Sequence, residues 1–108
     1  MSLPYLHLAD LAKEVEIPKD GILSKTLHND DHVKVVLFGF DAGQELSEHT
    51  ASMPAILYFA SGEADLRLGS DPSTSKPGVV VYMEPNLSHS VYARTPVVML
   101  LVLIKKGA

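Results

Sequence analysis

The sequence predicts an all-β fold, and three observations carry the prediction. Seven Gly and seven Pro break it into short segments rich in Val, Leu, Ile, Phe and Tyr, the punctuation of a β-sandwich or barrel. The longest apolar run, Val97-Val98-Met99-Leu100-Leu101-Val102-Leu103-Ile104, suits a buried strand, whereas a membrane helix needs about 20 such residues. With 46% hydrophobic and 20% charged residues, the chain can bury a core and is not a disordered tail.

The elements follow in order. Leu8–Glu14 is the one helical candidate, with Leu8, Leu11 and Ala12 on a shared face and Pro18 closing the region. Strands are expected at Ile22–Leu27, Val33–Phe40, Ala55–Ala60, Ala64–Leu68, Val79–Met83, Ser90–Arg94 and Val97–Ile104. Asn29-Asp30-Asp31 reads as a solvated turn flanked by His28 and His32, and Ser61-Gly62-Glu63 as a hairpin. Residues 69–78 are rich in Asp, Ser, Pro and Gly, which favour turns over ladder pairing, so they read as a loop. The β-rich halves on either side of it are each too small to cover their own faces. One domain over 1–108 is therefore expected, with an N-terminal arm at 1–30 and a barrel at 31–105.

Composition removes several functions. Cysteine is absent, which excludes disulfides, thiolate metal sites and a cysteine nucleophile. Thirteen acidic against nine basic residues leave a net charge of −4, so neither nucleic acid nor a membrane surface is an expected partner. The terminal Lys105-Lys106 reads as a solubilising tail. The Met-Ser-Leu-Pro start carries no basic or apolar leader, and a cytoplasmic location is expected. Neither Gly-x-Gly-x-x-Gly nor a P-loop occurs, and serines flanking His89 would point away from it on a strand, so no triad follows.

Two spacings carry chemistry. Gly43 is followed after five residues by His49, then by Ala51, Ala55 and Gly62. Gly78 is followed after five by Glu84, then by Pro85, Asn86 and His89. In its glycines and histidines this pair resembles the two motifs of small cupins, at 43–62 and 78–93. The resemblance implies a double-stranded β-helix, a jelly-roll-like barrel with a cavity between two sheets. It also implies a metal site of three imidazoles and one carboxylate, in which Ala51 stands for the second His and Ala55 for the Glu. His49 and His89 are the remaining candidate metal ligands. Two imidazoles leave both a divalent transition metal (Zn, Ni, Fe or Mn) and no metal open.

On a continuous strand His49, Ala51, Met53 and Ala55 would share one face, and with His89 they form the candidate ligand pocket. Met53, Met83 and Met99 also suit packing. His7, His28 and His32 read as surface residues. The expected function is small-molecule binding near His49 and His89. The alternative is a metal-dependent enzyme of dioxygenase or isomerase type, and a purely structural domain is a third reading. Val97–Ile104 is apolar on both faces, which predicts a homodimer unless residues 1–27 cover the outer one.

Overall fold

The computed structural model describes residues 4–105. It contains nine strands: β1 (Ile22–Asn29), β2 (Val33–Phe40), β3 (Glu45–His49), β4 (Ala55–Ser61), β5 (Ala64–Leu68), β6 (Asp71–Ser75), β7 (Val80–Met83), β8 (His89–Ala93) and β9 (Val97–Ile104). They form a five-stranded sheet in the order β1-β2-β9-β4-β7 and a four-stranded sheet in the order β3-β8-β5-β6. Neighbouring strands are antiparallel. The all-β fold class holds. Among the described residues no helix is long and apolar enough to cross a membrane.

The core lies between the two sheets. Phe40, Ala55, Leu57, Phe59, Met83, Val97 and Met99 come from the larger sheet, and Ala64, Leu66, Val91 and Ala93 from the smaller. Each large apolar side chain buried here contributes roughly 1.5–3 kcal/mol. Met83 and Met99 are packing residues, as the sequence suggested.

A second cluster covers the back of the larger sheet. Val15, Leu37 and Val98 are buried there, with Leu11, Ile17 and Leu100 packed against them. The N-terminal segment thus lies over part of the outer face of β9. The Leu8–Glu14 helix shrinks to a single 3-10 turn, Leu11–Lys13, whose N-cap Asp10 accepts from the Ala12 N–H at 3.2 Å. A full helix would turn Ile17 away from Leu11 and Val15; the extended segment lays all three on the sheet.

Five other points differ from the sequence reading. β1 belongs to the five-stranded sheet and not to an arm. The segment 69–78, expected as a loop, contains β6, and β3 was not expected at all. Both are edge strands with mostly exposed, polar side chains, so neither shows the apolar alternation that marks a strand. Pro72 is tolerated because only one neighbour pairs with β6. Ser61-Gly62-Glu63 is a corner rather than a hairpin, because β4 and β5 lie in different sheets. Lys105 does not trail into solvent: its ammonium donates to Asn29 Oδ1 at 2.5 Å and to the Asp30 carbonyl at 2.6 Å. Lys106 lies outside the described residues.

The β1–β2 turn is held by Asp30, whose carboxylate accepts from the N–H groups of His32 (2.7 Å) and Val33 (2.9 Å) and meets His28 Nε2 at 2.6 Å. These bonds, the one from His28 foremost, hold the Asp30 carboxyl well below the usual carboxylate range. A depressed folded-state value means the unfolded chain takes up the proton first. The resulting stabilisation is present above the ordinary aspartate range, about pH 4, and is lost as pH falls through the folded value. Asp30→Asn should therefore melt below wild type at neutral pH, with the gap narrowing steadily below about pH 4. A gap independent of pH in calorimetric melts would contradict this.

Gly62 turns the inter-sheet corner with φ +82°, and a Cβ there would sit 2.0 Å from the Pro96 carbonyl oxygen. Gly43 has a similar φ, +84°, but nothing within 4 Å of that position. Gly62→Ala should cost ~3 kcal/mol or more and Gly43→Ala only about 1 kcal/mol. Equal losses in urea melts would show that conformation alone, not the close approach, matters at Gly62.

Candidate functional site

One end of the barrel gathers two of the crossings between the sheets. Residues 50–54 lead from β3 to β4, and residues 84–88 lead from β7 to β8. The two segments are stitched together by the Asn86 N–H, which donates to the Ala51 carbonyl at 2.7 Å. The β5–β6 turn joins them, its Gly69 N–H donating to the Ser88 carbonyl at 2.7 Å. Asn86, between Pro85 and His89 of the second spacing, adopts φ +68°, a left-handed conformation that Asn tolerates better than most side chains.

His49 ends β3 and His89 begins β8, and the two residues pair directly across the strands. A register irregularity lies between Leu46 and His49. Their rings lie 4.2 Å apart between centroids, tilted by 56°. His89 is buried, with 6% of its surface exposed, while His49 is exposed. His89 shares its face with the core residues Val91 and Ala93.

Each ring is fixed in the same way. His49 Nδ1 lies 2.7 Å from the Ser47 carbonyl oxygen, and His89 Nδ1 lies 2.9 Å from that of Leu87. A carbonyl oxygen only accepts, so both Nδ1 atoms carry the proton and donate. In the neutral rings both Nε2 atoms are left as acceptors, with no hydrogen-bond partner among the described residues. Two bonds to backbone thus turn a pair of flexible imidazoles into two fixed acceptors.

The other pocket residues do not share the histidine face. β3 ends at His49 and β4 begins at Ala55 in the opposite sheet, so no single strand runs through 49–55. Ala51 lies on the crossing segment. Met53 lines a separate depression of about 280 Å³ with Ser52, Pro54, Pro85, Ile104 and Lys105. Ala55 is buried in the core and pairs with Leu103 and Met83. The structure brings His49 and His89 together and disperses Ala51, Met53 and Ala55 around the same end.

Lys34 was missed. It pairs with Leu103, which pairs in turn with Ala55, so the three share one register row and one sheet face. Leu103 packs against the main core; the half-buried Lys34 therefore puts a cation on the inward side of β2. Alternation back from Phe40 through Phe38 and Val36 would have found it.

His28 and His32 belong to the β1–β2 turn, and His7 is exposed. A concavity of about 600 Å³, lined among others by Glu45, Asp65, Arg67 and Tyr92, lies on the outer face of the four-stranded sheet. It is larger than the depression at Met53, yet it includes neither histidine. The paired histidines, and not that concavity, are the candidate site.

No family model matches the chain, and no curated protein matches it. Solved structures do. A conserved protein of unknown function from Streptococcus pyogenes is 29% identical, with TM-score 0.86 over 98% of this chain and 93% of that one. A cupin superfamily protein from Desulfitobacterium hafniense superposes with TM-score 0.86 at 23% identity, over 96% of this chain and 95% of that one. The chain has the cupin fold. A cupin 2 conserved barrel domain protein from Leptotrichia buccalis is 29% identical with TM-score 0.81, over 87% of this chain and 46% of that longer one.

The metal site that the cupin resemblance implies does not fit this donor set. Alanine side chains at 51 and 55 offer no donor. Among the described residues no group of three or more His, Asp or Glu could hold an ion.

The fixed rings give a direct expectation. Nitrogen-15 spectra of the neutral side chains should show both His49 and His89 as Nδ1–H tautomers, with Nε2 unprotonated. Free imidazole side chains favour the opposite tautomer, so an Nε2–H signal from either ring would remove the two acceptors.

Proposed function

We propose that this cupin binds a small molecule at the barrel end that carries His49 and His89, without transforming it. The observation that supports this reading is the pair of imidazoles whose Nδ1 protons are committed to backbone carbonyls. Two fixed Nε2 acceptors suit a ligand with neighbouring hydroxyl or amine donors. Small-ligand sites in general combine an apolar surround with a few convergent polar groups, and partly buried Leu46, Leu68 and Leu87 supply apolar surface around the core here.

A second reading, a metal-dependent enzyme, has one observation in its favour. An Nδ1–H bonded to a carbonyl is also how proteins orient imidazole ligands of metals. The absence of a third donor among the described residues counts against it. Fold likeness does not choose between the two, because cupin barrels host unrelated chemistries.

A panel of small polyols, hydroxy acids and sugars, followed by NMR, tests the proposal. Binders should shift the ring resonances of both histidines, and His89→Ala should weaken them by ~10-fold or more. Compounds that bind wild type and the His49→Ala/His89→Ala double variant equally would sink it. Stoichiometric metal in untagged protein, with binding abolished by a chelator, would favour the enzyme reading instead.

A further inference from the structure

The barrel end remote from the histidines holds a different kind of site. Ser75, the last residue of β6, pairs with Ala64, a core residue, so its side chain turns to the same inner face. It is 4% exposed, and its Oγ has no hydrogen-bond partner among the described residues. A buried hydroxyl left unpaired is costly, and proteins rarely leave one without a reason. Ala64, Ser75 and Val79 form the floor of a cleft of about 320 Å³, and Glu63, Lys76 and Arg94 stand around it.

The rim is anchored. The Arg94 N–H donates to the Glu63 carbonyl at 2.9 Å, and the Glu63 N–H donates to Thr95 Oγ1 at 2.9 Å. Arg94 Nε is held by Asp65 at 2.8–2.9 Å, while its terminal nitrogens have no hydrogen-bond partner among the described residues. Lys76 makes no ion pair among them either. Arg94, already paired with Asp65, the unpaired Lys76 and the unpaired Ser75 hydroxyl therefore stand at the cleft, with the carboxylate of Glu63 beside them.

We propose that this cleft binds the carboxylate of a small hydroxy or amino acid. Arg94 and Lys76 engage the carboxylate oxygens, and the Ser75 hydroxyl donates from the floor. Glu63 disfavours a dianion such as phosphate and accepts from the hydroxyl or amine of the same molecule. Nothing in this site depends on His49 or His89, so it stands whether or not the histidine pair binds a ligand.

Titration of the full chain with glycolate, glycine and inorganic phosphate, followed by amide NMR, is the test, with sodium chloride at matched ionic strength as control. Glycolate or glycine should give saturable shifts at Glu63, Ser75, Lys76 and Arg94, and phosphate should bind more weakly. Ser75→Ala should weaken binding ~10-fold and raise the melting temperature, because it deletes an unpaired buried hydroxyl. Lys76→Gln should weaken binding with little change in melting, which keeps the test decisive if Ser75→Ala folds poorly. The proposal is overturned if neither acid gives saturable shifts, if chloride reproduces them, if Lys76→Gln binds as wild type does, or if phosphate binds best.

Discussion

Strand β9 constrains nearly everything else in this molecule. It sits third in the five-stranded sheet, paired along its length with β2 and over most of it with β4. Its residues Val97, Val98 and Met99 are each at most 2% exposed, so it is covered on both faces. The smaller sheet covers the inner face, and the N-terminal segment covers Val98 and Leu100 on the outer one. A strand buried on both sides must be apolar throughout, which explains a run without alternation in an antiparallel sheet. Register along β9 then sets which residues of its neighbours face inward. Through Leu103 it fixes Ala55 on β4 and Lys34 on β2 in one row, and through Met99 it fixes Phe59 and Phe38 in another.

What the sequence made legible was the interior. β2, β5 and β9 match their expected boundaries because buried strands must be apolar and turns must break them. β3 and β6 were illegible for the converse reason: edge strands that face solvent are built from polar residues, which also discourages pairing with other chains. The motif histidines were legible through spacing, although the face-sharing argument for 49–55 was not sound. It assumed one strand where the chain leaves one sheet and enters the other. Asn86 adds a left-handed backbone that no spacing announced.

The tautomers of His49 and His89 had no sequence signal, since the bonds go to backbone carbonyls that every residue possesses. The same holds for Ser75. Nothing in Thr74-Ser75-Lys76 distinguishes a surface serine from one turned inward at the end of an edge strand; only its pairing with Ala64 does so.

The two ends of the barrel differ in charge chemistry, and the crossings explain why. At the histidine end, the segments 50–54 and 84–88 pass between sheets and bond to each other through backbone groups. That leaves the imidazole acceptors as the side-chain polarity at the pair, with Lys34 on the facing row. At the other end the inter-sheet corner at Gly62 is so tight that Pro96 approaches within van der Waals distance of its Cα region. That closeness draws Glu63 and Arg94 together across the corner, where the Arg94 N–H meets the Glu63 carbonyl. Burying either charge alone would be costly; at the rim both stay hydrated, while only the neutral Ser75 hydroxyl is carried inside.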